Sequence, residues 1–212
     1  MVINNIIFDW SGTISNDLLP VWKASSYTFK YFGIKPLTLK EFRTEFILPY
    51  MNFYSKFKKD ISKKECDEVF FKKFKLLREP KPFPKVKLIL RYLKLKGIKL
   101  IILSSHPQKE IEKELKRYKL GDYFRCIYGG IHDKTSGIVR VIKDNKLKRR
   151  ETAFVGDMTS DIKAGKKTKV ITIAVTWGYH LKDKLLEAKP DYIINNFYEL
   201  KRIISDTENN KI

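Results

Sequence analysis

Short apolar runs rich in β-branched residues recur along the chain, separated by segments with helical spacing. The candidate strands span residues 3–8, 99–103, 125–128, 152–155, 170–175 and 192–194. These runs are apolar almost throughout, instead of alternating with polar residues, which is typical of strands covered on both faces. The pattern therefore predicts a buried, parallel β-sheet.

Helical periodicity lies between the candidate strands. Val86, Ile89, Leu90 and Leu93 stand at i, i+3, i+4 and i+7, so they share one helical face, and Gly97 ends that helix. Strands that alternate with amphipathic helices favour an α/β fold in which the sheet is parallel and doubly wound.

One long stretch, residues 18–79, breaks this alternation because it shows helical patterns and no convincing strand. It ends at Pro80-Lys81-Pro82-Phe83-Pro84, which cannot continue a helix. We predict an all-helical domain inserted after the first strand, with residues 1–17 and 80–212 forming the α/β core. Hinges near residues 15–19 and 79–84 would let this domain close over the core and exclude water.

Composition narrows the class of protein. Hydrophobic residues make up 43% of the chain, enough for a packed core, and no apolar run approaches the ~20 residues of a membrane span. The first eight residues predict a buried strand rather than a secretory signal. Cys66 and Cys126 lie far apart without a CxxC pair, which favours small core residues in a reducing cytoplasm over a disulfide or zinc site.

The charge balance is strongly basic. Lys and Arg total 44 against 24 Asp and Glu, a net charge of +20. Such a field concentrates anionic substrates, and it would also attract nucleic acid. The lysines are scattered over every predicted helix, however, and the chain has no zinc-finger, RNP-like or helix-turn-helix motif. We therefore interpret the charge as a lysine-rich, solvated surface and expect no nucleic-acid partner.

Polar residues stand after four of the candidate strands. In chain order these are Asp9-Trp10-Ser11-Gly12-Thr13, then Ser104-Ser105, then Lys134, and finally Gly156-Asp157-Met158-Thr159-Ser160-Asp161. Parallel α/β sheets bind ligands at the carboxyl ends of their strands. The Gly-Thr pair also permits a tight turn whose backbone amides can face an anion. Each piece alone is a modest signal, since an Asp at a strand end often only caps a loop.

Taken together, this order of motifs resembles the four signature motifs of the haloacid dehalogenase-like superfamily. The segments Thr176-Trp177-Gly178-Tyr179 and Pro190-Asp191-Tyr192-Ile193-Ile194 look like the end of its phosphoglycolate-phosphatase-like branch. The resemblance covers essentially the whole core, and the helical insertion falls where that branch carries its cap. It implies a Rossmann-like core and a magnesium-dependent phosphatase acting on a small phosphorylated substrate.

The resemblance also implies a metal site. Asp9, the backbone carbonyl of Ser11 and the carboxylate of Asp157 would bind Mg²⁺, which prefers oxygen ligands. Asp161, one helical turn further on, would hold a metal-bound water or the lysine. Asp9 would attack phosphorus and form an aspartyl-phosphate, which splits one displacement into two.

The phosphate oxygens would be bound by residues of the other motifs. Lys134 is expected to supply a fixed positive charge and Ser104 a hydrogen bond. The further candidates for substrate binding are Gly12, Thr13, Ser105 and Arg43. Arg43 lies in the predicted cap, where a substrate-binding, a structural and a solvated arginine are all compatible with the sequence.

Ser11 departs from the pattern of the family. Its phosphatases usually carry a second aspartate here, which protonates the leaving oxygen and then activates water. A serine hydroxyl is a poor proton shuttle, and general acid–base catalysis is typically worth about 10²–10⁴-fold. Hydrolysis would then be slow, or the aspartyl-phosphate long-lived and passed to another acceptor, or the chain a non-catalytic binder of an acidic partner or nucleic acid on the same scaffold.

A narrower alternative is a phosphonatase. The Asp9–Thr13 motif is similar to that of phosphonoacetaldehyde hydrolase, whose chemistry needs a cap lysine that forms a Schiff base. Lys56, Lys58 and Lys59 are candidates by abundance alone. The Trp177-Gly178-Tyr179 segment favours the phosphatase branch.

Overall fold

The computed structural model describes residues 2–209 as an α/β core with a helical insertion. The strands are β1 (Asn5–Phe8), β2 (Ser15–Asn16), β3 (Lys81–Pro82), β4 (Lys99–Leu103), β5 (Cys126–Tyr128), β6 (Thr152–Gly156), β7 (Ile171–Val175) and β8 (Tyr192–Ile194). The helices are α1 (Leu18–Tyr31), α2 (Leu39–Glu45), α3 (Tyr50–Ser55), α4 (Lys63–Phe74), α5 (Val86–Leu95), α6 (Gln108–Tyr118), α7 (Lys134–Asp144), α8 (Thr159–Lys167), α9 (Lys182–Glu187) and α10 (Phe197–Asn209).

Six strands form one parallel sheet in the order β5-β4-β1-β6-β7-β8. The chain builds outward from β1 in both directions, so the predicted doubly wound parallel sheet is confirmed. All six candidate strands are present, and their ends differ from the predicted ones by no more than two residues. Within residues 2–209, no helix has both the length and the apolar character that crossing a bilayer requires.

The sheet is covered on both faces, as the apolar strands indicated. In β1, Ile6 and Phe8 belong to one buried cluster and Ile7 to the other. Leu90 of α5 packs in the first cluster, while Ile138 of α7 packs in the second. Because side chains alternate across a strand, β1 carries apolar groups into both layers of the core and holds its carboxyl end in a defined position.

Residues 18–79, all of which the structure describes, contain four helices and no strand. We call this stretch the cap and the remainder the core. Aromatic rings dominate the interior of the cap: Phe29 lies 5.4 Å from Phe53 between ring centroids, and Phe42 also contacts Phe53. At the start of α2, Thr38 and Glu41 form a reciprocal capping box, which defines where that helix begins.

The two connections between core and cap lie side by side. Strands β2 and β3 pair antiparallel, with Ser15 opposite Pro82, and Phe83 donates a backbone hydrogen bond to Ile14 at 3.0 Å. The sequence predicted hinges here but no strands, because two-residue strands leave no periodic pattern. The pairing brings both ends of the cap to one place beside the loop that carries Asp9.

Candidate active site

Four sequence motifs meet at the carboxyl edge of the sheet. Asp9 follows β1, Ser104 follows β4, Lys134 begins α7 after β5, and Asp157 follows β6. These strands are neighbours in the sheet, so their ends converge. The ammonium nitrogen of Lys134 donates to Oδ1 of Asp9 at 2.7 Å and to the carbonyl of Leu103 at 3.0 Å.

Three buried carboxylates form the centre of this site. One oxygen each from Asp9, Asp157 and Asp161 lies within 4.8 Å of the other two, and the residues are 7%, 0% and 2% exposed. Lys134 also lies 3.5 Å from Oδ1 of Asp161. Three ionised carboxylates against one ammonium group leave two negative charges uncompensated. An all-oxygen site with that charge suits a divalent cation.

The pKa values of Asp157, Asp161 and Lys134 are all raised. Burial raises the pKa of Asp157 well above its ordinary value, and the neighbouring charges of Asp9 and Asp161 raise it further. Burial also raises the pKa of Asp161, to about 6, although Lys134 opposes the shift. Burial alone would lower the pKa of Lys134, but the surrounding carboxylates outweigh it and raise that pKa. The site thus favours added positive charge.

The side chain of Asp157 is oriented from two sides. The amide of Tyr179 donates to its Oδ2 at 2.6 Å, and the hydroxyl of Thr13 donates to its Oδ1 at 3.1 Å. Both flanking loops approach closely at glycine: a Cβ at Gly12 would lie 2.3 Å from Oδ2 of Asp157, and one at Gly178 would lie 2.2 Å away. Gly12 also has φ +72°, a region that favours glycine. Only glycine allows these loops to enclose the carboxylate.

A family model for haloacid dehalogenase-like hydrolases matches residues 6–175, which include all of these carboxylates. The chain belongs to this family. Phosphoglycolate phosphatase from Aquifex aeolicus is 29% identical over 215 residues, covering 95% of this chain and 96% of that protein. A protein from Caldanaerobacter subterraneus with the provisional name pyrophosphatase is 28% identical and covers 96% of both.

A solved structure shows the same fold. A haloacid dehalogenase-like hydrolase from Streptococcus pneumoniae superposes with a TM-score of 0.81 at 23% identity, covering 95% of this chain and 98% of that one. The family model and the two relatives named above confirm the family, its phosphoglycolate-phosphatase-like branch and the enzyme class, a phosphatase, that the resemblance implied.

The loop that follows Asp9 does not present the amides of Gly12 and Thr13 as the sequence predicted. The amide of Gly12 donates to the carbonyl of Ser15 and to Oδ1 of Asp17, and the amide of Thr13 donates to the carbonyl of Trp10. Both amides are bonded inside the loop, so the expectation that they face an anion is wrong. Thr13 contributes through its hydroxyl, which orients Asp157.

Asp17 is a feature of the hydrolase that the sequence reasoning missed. It is buried, accepts the hydrogen bond from Gly12, and lies beside the Ser11 hydroxyl. Burial raises its pKa to about 7, opposed by the hydrogen bond from Ser11 and increased by the charge of Glu114. In the sequence, Asp17 could have been noticed only from its position, eight residues after Asp9 and directly before α1.

Ser104 and Ser105 lie where the second motif placed them. Ser104 is buried, and its hydroxyl accepts a long hydrogen bond of 3.3 Å from the amide of His106. Ser105 is half-buried. No described residue accepts a hydrogen bond from the backbone amides of Ser11 or Ser105, which leaves two donors on the loops that flank Asp9.

Arg43 lies near the end of α2, at the boundary between cap and core. Its Nη2 donates to the carbonyl of Thr176 at 2.9 Å and to the carbonyl of His180 at 3.0 Å. Burial lowers the pKa of Arg43, while the charge of Asp157 opposes this shift. These contacts match the structural role that the sequence left open; substrate binding by Arg43 stays a prediction.

The cap lysines that were candidates for a phosphonatase either bond to carbonyls of the cap or are exposed. Lys56 donates to the carbonyl of Glu45 at 2.9 Å, and Lys58 donates to the carbonyl of Phe32 at 3.1 Å. Lys59 is exposed. In the described part of the chain, Lys134 is the lysine that contacts Asp9. This arrangement gives no support to a Schiff-base lysine in the cap.

Proposed function

We propose that this hydrolase is a magnesium-dependent phosphatase of small phosphate esters and that Asp9 is its nucleophile. The observation that carries the proposal is the placement of Asp9: it directly follows β1, pairs with Lys134 at 2.7 Å, and shares a buried cluster with Asp157 and Asp161. Phosphoryl transfer depends mainly on positioning and charge neutralisation, and this cluster supplies both.

Asp9, Asp157 and the backbone carbonyl of Ser11 would hold the magnesium ion. When bound, the ion neutralises the charge shared by the nucleophile and the phosphate oxygens, which would otherwise repel each other. Asp161 is engaged differently, because its Oδ2 accepts from the amide of Met158 at 3.0 Å and its Oδ1 lies near Lys134. Of the two roles that the resemblance implied for Asp161, these contacts favour holding the lysine.

The reaction proceeds in two displacements. A carboxylate oxygen of Asp9 forms a bond to phosphorus while the bond from phosphorus to the ester oxygen breaks, and the leaving oxygen takes a proton from solvent. A water oxygen then forms a bond to phosphorus while the bond from phosphorus to the Asp9 oxygen breaks. The water gives up a proton to solvent, inorganic phosphate leaves, and the Asp9 carboxylate is regenerated. Lys134 carries the fixed positive charge beside the transferred group.

Hydrogen-bond donors on two loops complete the phosphate site. The hydroxyl of Ser104 and the backbone amides of Ser11 and Ser105 lie on the loops that follow β4 and β1, next to Asp9. Donors held in place before the reaction lower its barrier because they need no reorganisation. In this proposal, the loop after β1 donates to the phosphate through the amide of Ser11, and not through the amides of Gly12 and Thr13.

Ser11 limits the rate of proton transfer. A hydroxyl there does not supply the leaving oxygen with a proton as a carboxylic acid would, so we infer slow hydrolysis of esters with poor leaving groups. A persistent aspartyl-phosphate could also pass its phosphoryl group to an acceptor other than water. The intact cluster around Asp9 argues against a purely non-catalytic binder.

Phosphoglycolate is the first substrate to test, and inorganic pyrophosphate the second, because the relatives above carry those names. Both are small anions, which the net charge of +20 would attract. The free thiols of Cys66 and Cys126 suit the reducing cytoplasm that the composition predicted.

The deciding experiment measures phosphate release from phosphoglycolate, pyrophosphate and an activated aryl phosphate, with Mg²⁺ and with a chelator. We expect turnover that needs Mg²⁺ and falls by at least about 10³-fold in Asp9→Asn, since the nucleophile is lost. Turnover that survives chelation or the Asp9→Asn change would overturn the proposal. Salt-sensitive nucleic-acid binding without turnover would favour the non-catalytic alternative.

A further inference from the structure

Hydrogen bonds in both directions join the end of helix α2 in the cap to residues 176–184 of the core. Arg43 of the cap donates to the carbonyls of Thr176 and His180. In return, Lys184 of the core donates to the carbonyl of Thr44 at 2.6 Å, and the His180 ring bonds the carbonyl of Phe46 at 2.9 Å. The contacts are thus reciprocal and confined to one turn of helix.

The His180 ring is held at both nitrogens. Its Nδ1 accepts from the amide of Thr159 at 3.0 Å, so the hydrogen must reside on Nε2, which donates to Phe46. Lys184, 3.2 Å from Nε2, cannot donate to a nitrogen that carries a hydrogen, and its bond to Thr44 satisfies it instead. His180 therefore ties a cap carbonyl to the start of α8, the helix that carries Asp161.

The same core segment holds the metal-site carboxylate from its other side. The amide of Tyr179 donates to Oδ2 of Asp157, and the amide of His180 donates to the Asp157 carbonyl at 3.3 Å. The ring of Tyr179 stacks on Phe46 of the cap with centroids 5.0 Å apart. One short segment thus contacts the cap on one face and Asp157 on the other.

Access to the site requires these contacts to change. Asp157 is fully buried and Asp9 is 7% exposed, so we expect the cap to move away from the core before a phosphate ester reaches Asp9. Such a movement separates Phe46 from Tyr179 and Arg43 from residues 176–180. The segment that orients Asp157 then loses its support on the cap side.

We propose that residues 176–180 couple closure of the cap to the orientation of Asp157, with Arg43 and His180 as positioning residues. This inference rests on the proposed metal site and adds a mechanism by which the cap controls it. Coupling of this kind is reciprocal: a closed cap strengthens cation binding, and a bound cation favours the closed cap. Typical coupling changes affinity about 5- to 150-fold.

The test compares Arg43→Gln with Lys40→Gln, a change of an exposed cation on the same helix. Binding of Mn²⁺ alone to the metal-free proteins is measured by titration calorimetry, without substrate. We expect Arg43→Gln to bind Mn²⁺ at least about fivefold more weakly than the wild type and Lys40→Gln to bind it equally well. Equal affinity in all three proteins would overturn the coupling.

Hydrogen exchange gives an independent readout. In the wild type, Mn²⁺ should slow exchange in both the 176–184 segment and helix α2, whereas in Arg43→Gln only the first should respond. If Arg43→Gln does not fold, Lys184→Gln removes one bond from the same contact, and we expect a smaller shift of the same sign. Mn²⁺ that protects α2 equally in wild type and variant refutes the proposal.

The outcomes separate this inference from the proposed function. A wild type that neither binds Mn²⁺ nor shows metal-dependent turnover means that the metal site itself is wrong. A wild type that binds Mn²⁺ and hydrolyses phosphate esters, with an Arg43→Gln variant of equal Mn²⁺ affinity, leaves the phosphatase standing and removes only the coupling.

Discussion

The ammonium nitrogen of Lys134 lies 2.7 Å from Oδ1 of Asp9, although 125 positions separate the two residues in the chain. Both side chains are buried, so neither charge is well solvated. A buried ion of one sign needs a partner of the other, and Asp9 and Asp161 give Lys134 two.

Replacing Lys134 with Met should destabilise the metal-free protein. The change leaves three buried carboxylates without a positive partner, and breaking a buried pair typically costs about 3–5 kcal/mol. We expect a matching loss in the free energy of unfolding, measured by urea titration with chelator, and recovery of part of it with Mg²⁺. Lys143→Met, an exposed change on α7, is the control. A similar loss of unfolding free energy in both variants would show that the ion pairs of Lys134 do not stabilise the fold.

Ser11→Asp should accelerate hydrolysis. The new carboxyl would stand beside Asp17, and two adjacent carboxyls tend to share a proton, which suits acid–base catalysis. We expect at least about a tenfold gain in kcat for alkyl phosphates and a smaller one for aryl phosphates, whose leaving groups need less help. Steady-state rates with both substrate types test this. An unchanged or lower rate would mean that the site has adapted around serine.

His180 should make the metal-free protein sensitive to acid. Burial lowers its pKa from 6.5 to about 4, and the nearby positive charges of Lys184 and Arg43 add to this shift, against a hydrogen bond with Phe46. The folded state therefore disfavours the charged ring. This part of the stability is fully present above pH 6.5 and is lost as the pH falls from 6.5 towards 4.

The measurement compares unfolding free energies of the wild type and His180→Gln across that pH range, with chelator. Gln keeps a hydrogen-bonding side chain but does not titrate. We expect the wild type to lose up to about 3 kcal/mol more than the variant. If the unfolding free energies of the two proteins change with pH in parallel, folding does not lower the pKa of His180.

Asp17 should have the opposite pH dependence. Its pKa is raised from 3.8 to about 7, chiefly by burial, so the folded state favours the neutral acid. The resulting stabilisation is present below pH 3.8 and is lost as the pH rises through about 7. Asp17→Asn, which is neutral at every pH and can still accept from Gly12, should gain stability relative to the wild type as the pH rises.

Thermal unfolding of both proteins over a pH range that runs from 3.8 to above 7, in chelator, tests this expectation. Asp183→Asn, a change of the same type at an exposed position of α9, is the control. An Asp17→Asn variant that becomes relatively less stable at high pH would mean that the carboxylate is held in its ionised form.

The local pattern of the sequence was sufficient for the sheet and for the convergence of the motifs. Apolar runs and helical spacing are properties of neighbouring residues, and they identified every strand of the parallel sheet. Parallel topology then places Asp9, Ser104 and Asp157 at one edge, because the carboxyl ends of such strands lie together.

The tertiary structure alone decided how those motifs are supported. Asp17 lies close to Asp9 in the chain, yet its pKa is raised by burial and by the charge of Glu114, a residue that is distant in sequence. Arg43 contacts a carbonyl 137 positions away, and no spacing along the chain encodes that pairing. Periodicity reports which face of an element is apolar, whereas hydrogen-bond partners and desolvation depend on which distant segments the completed fold brings into contact.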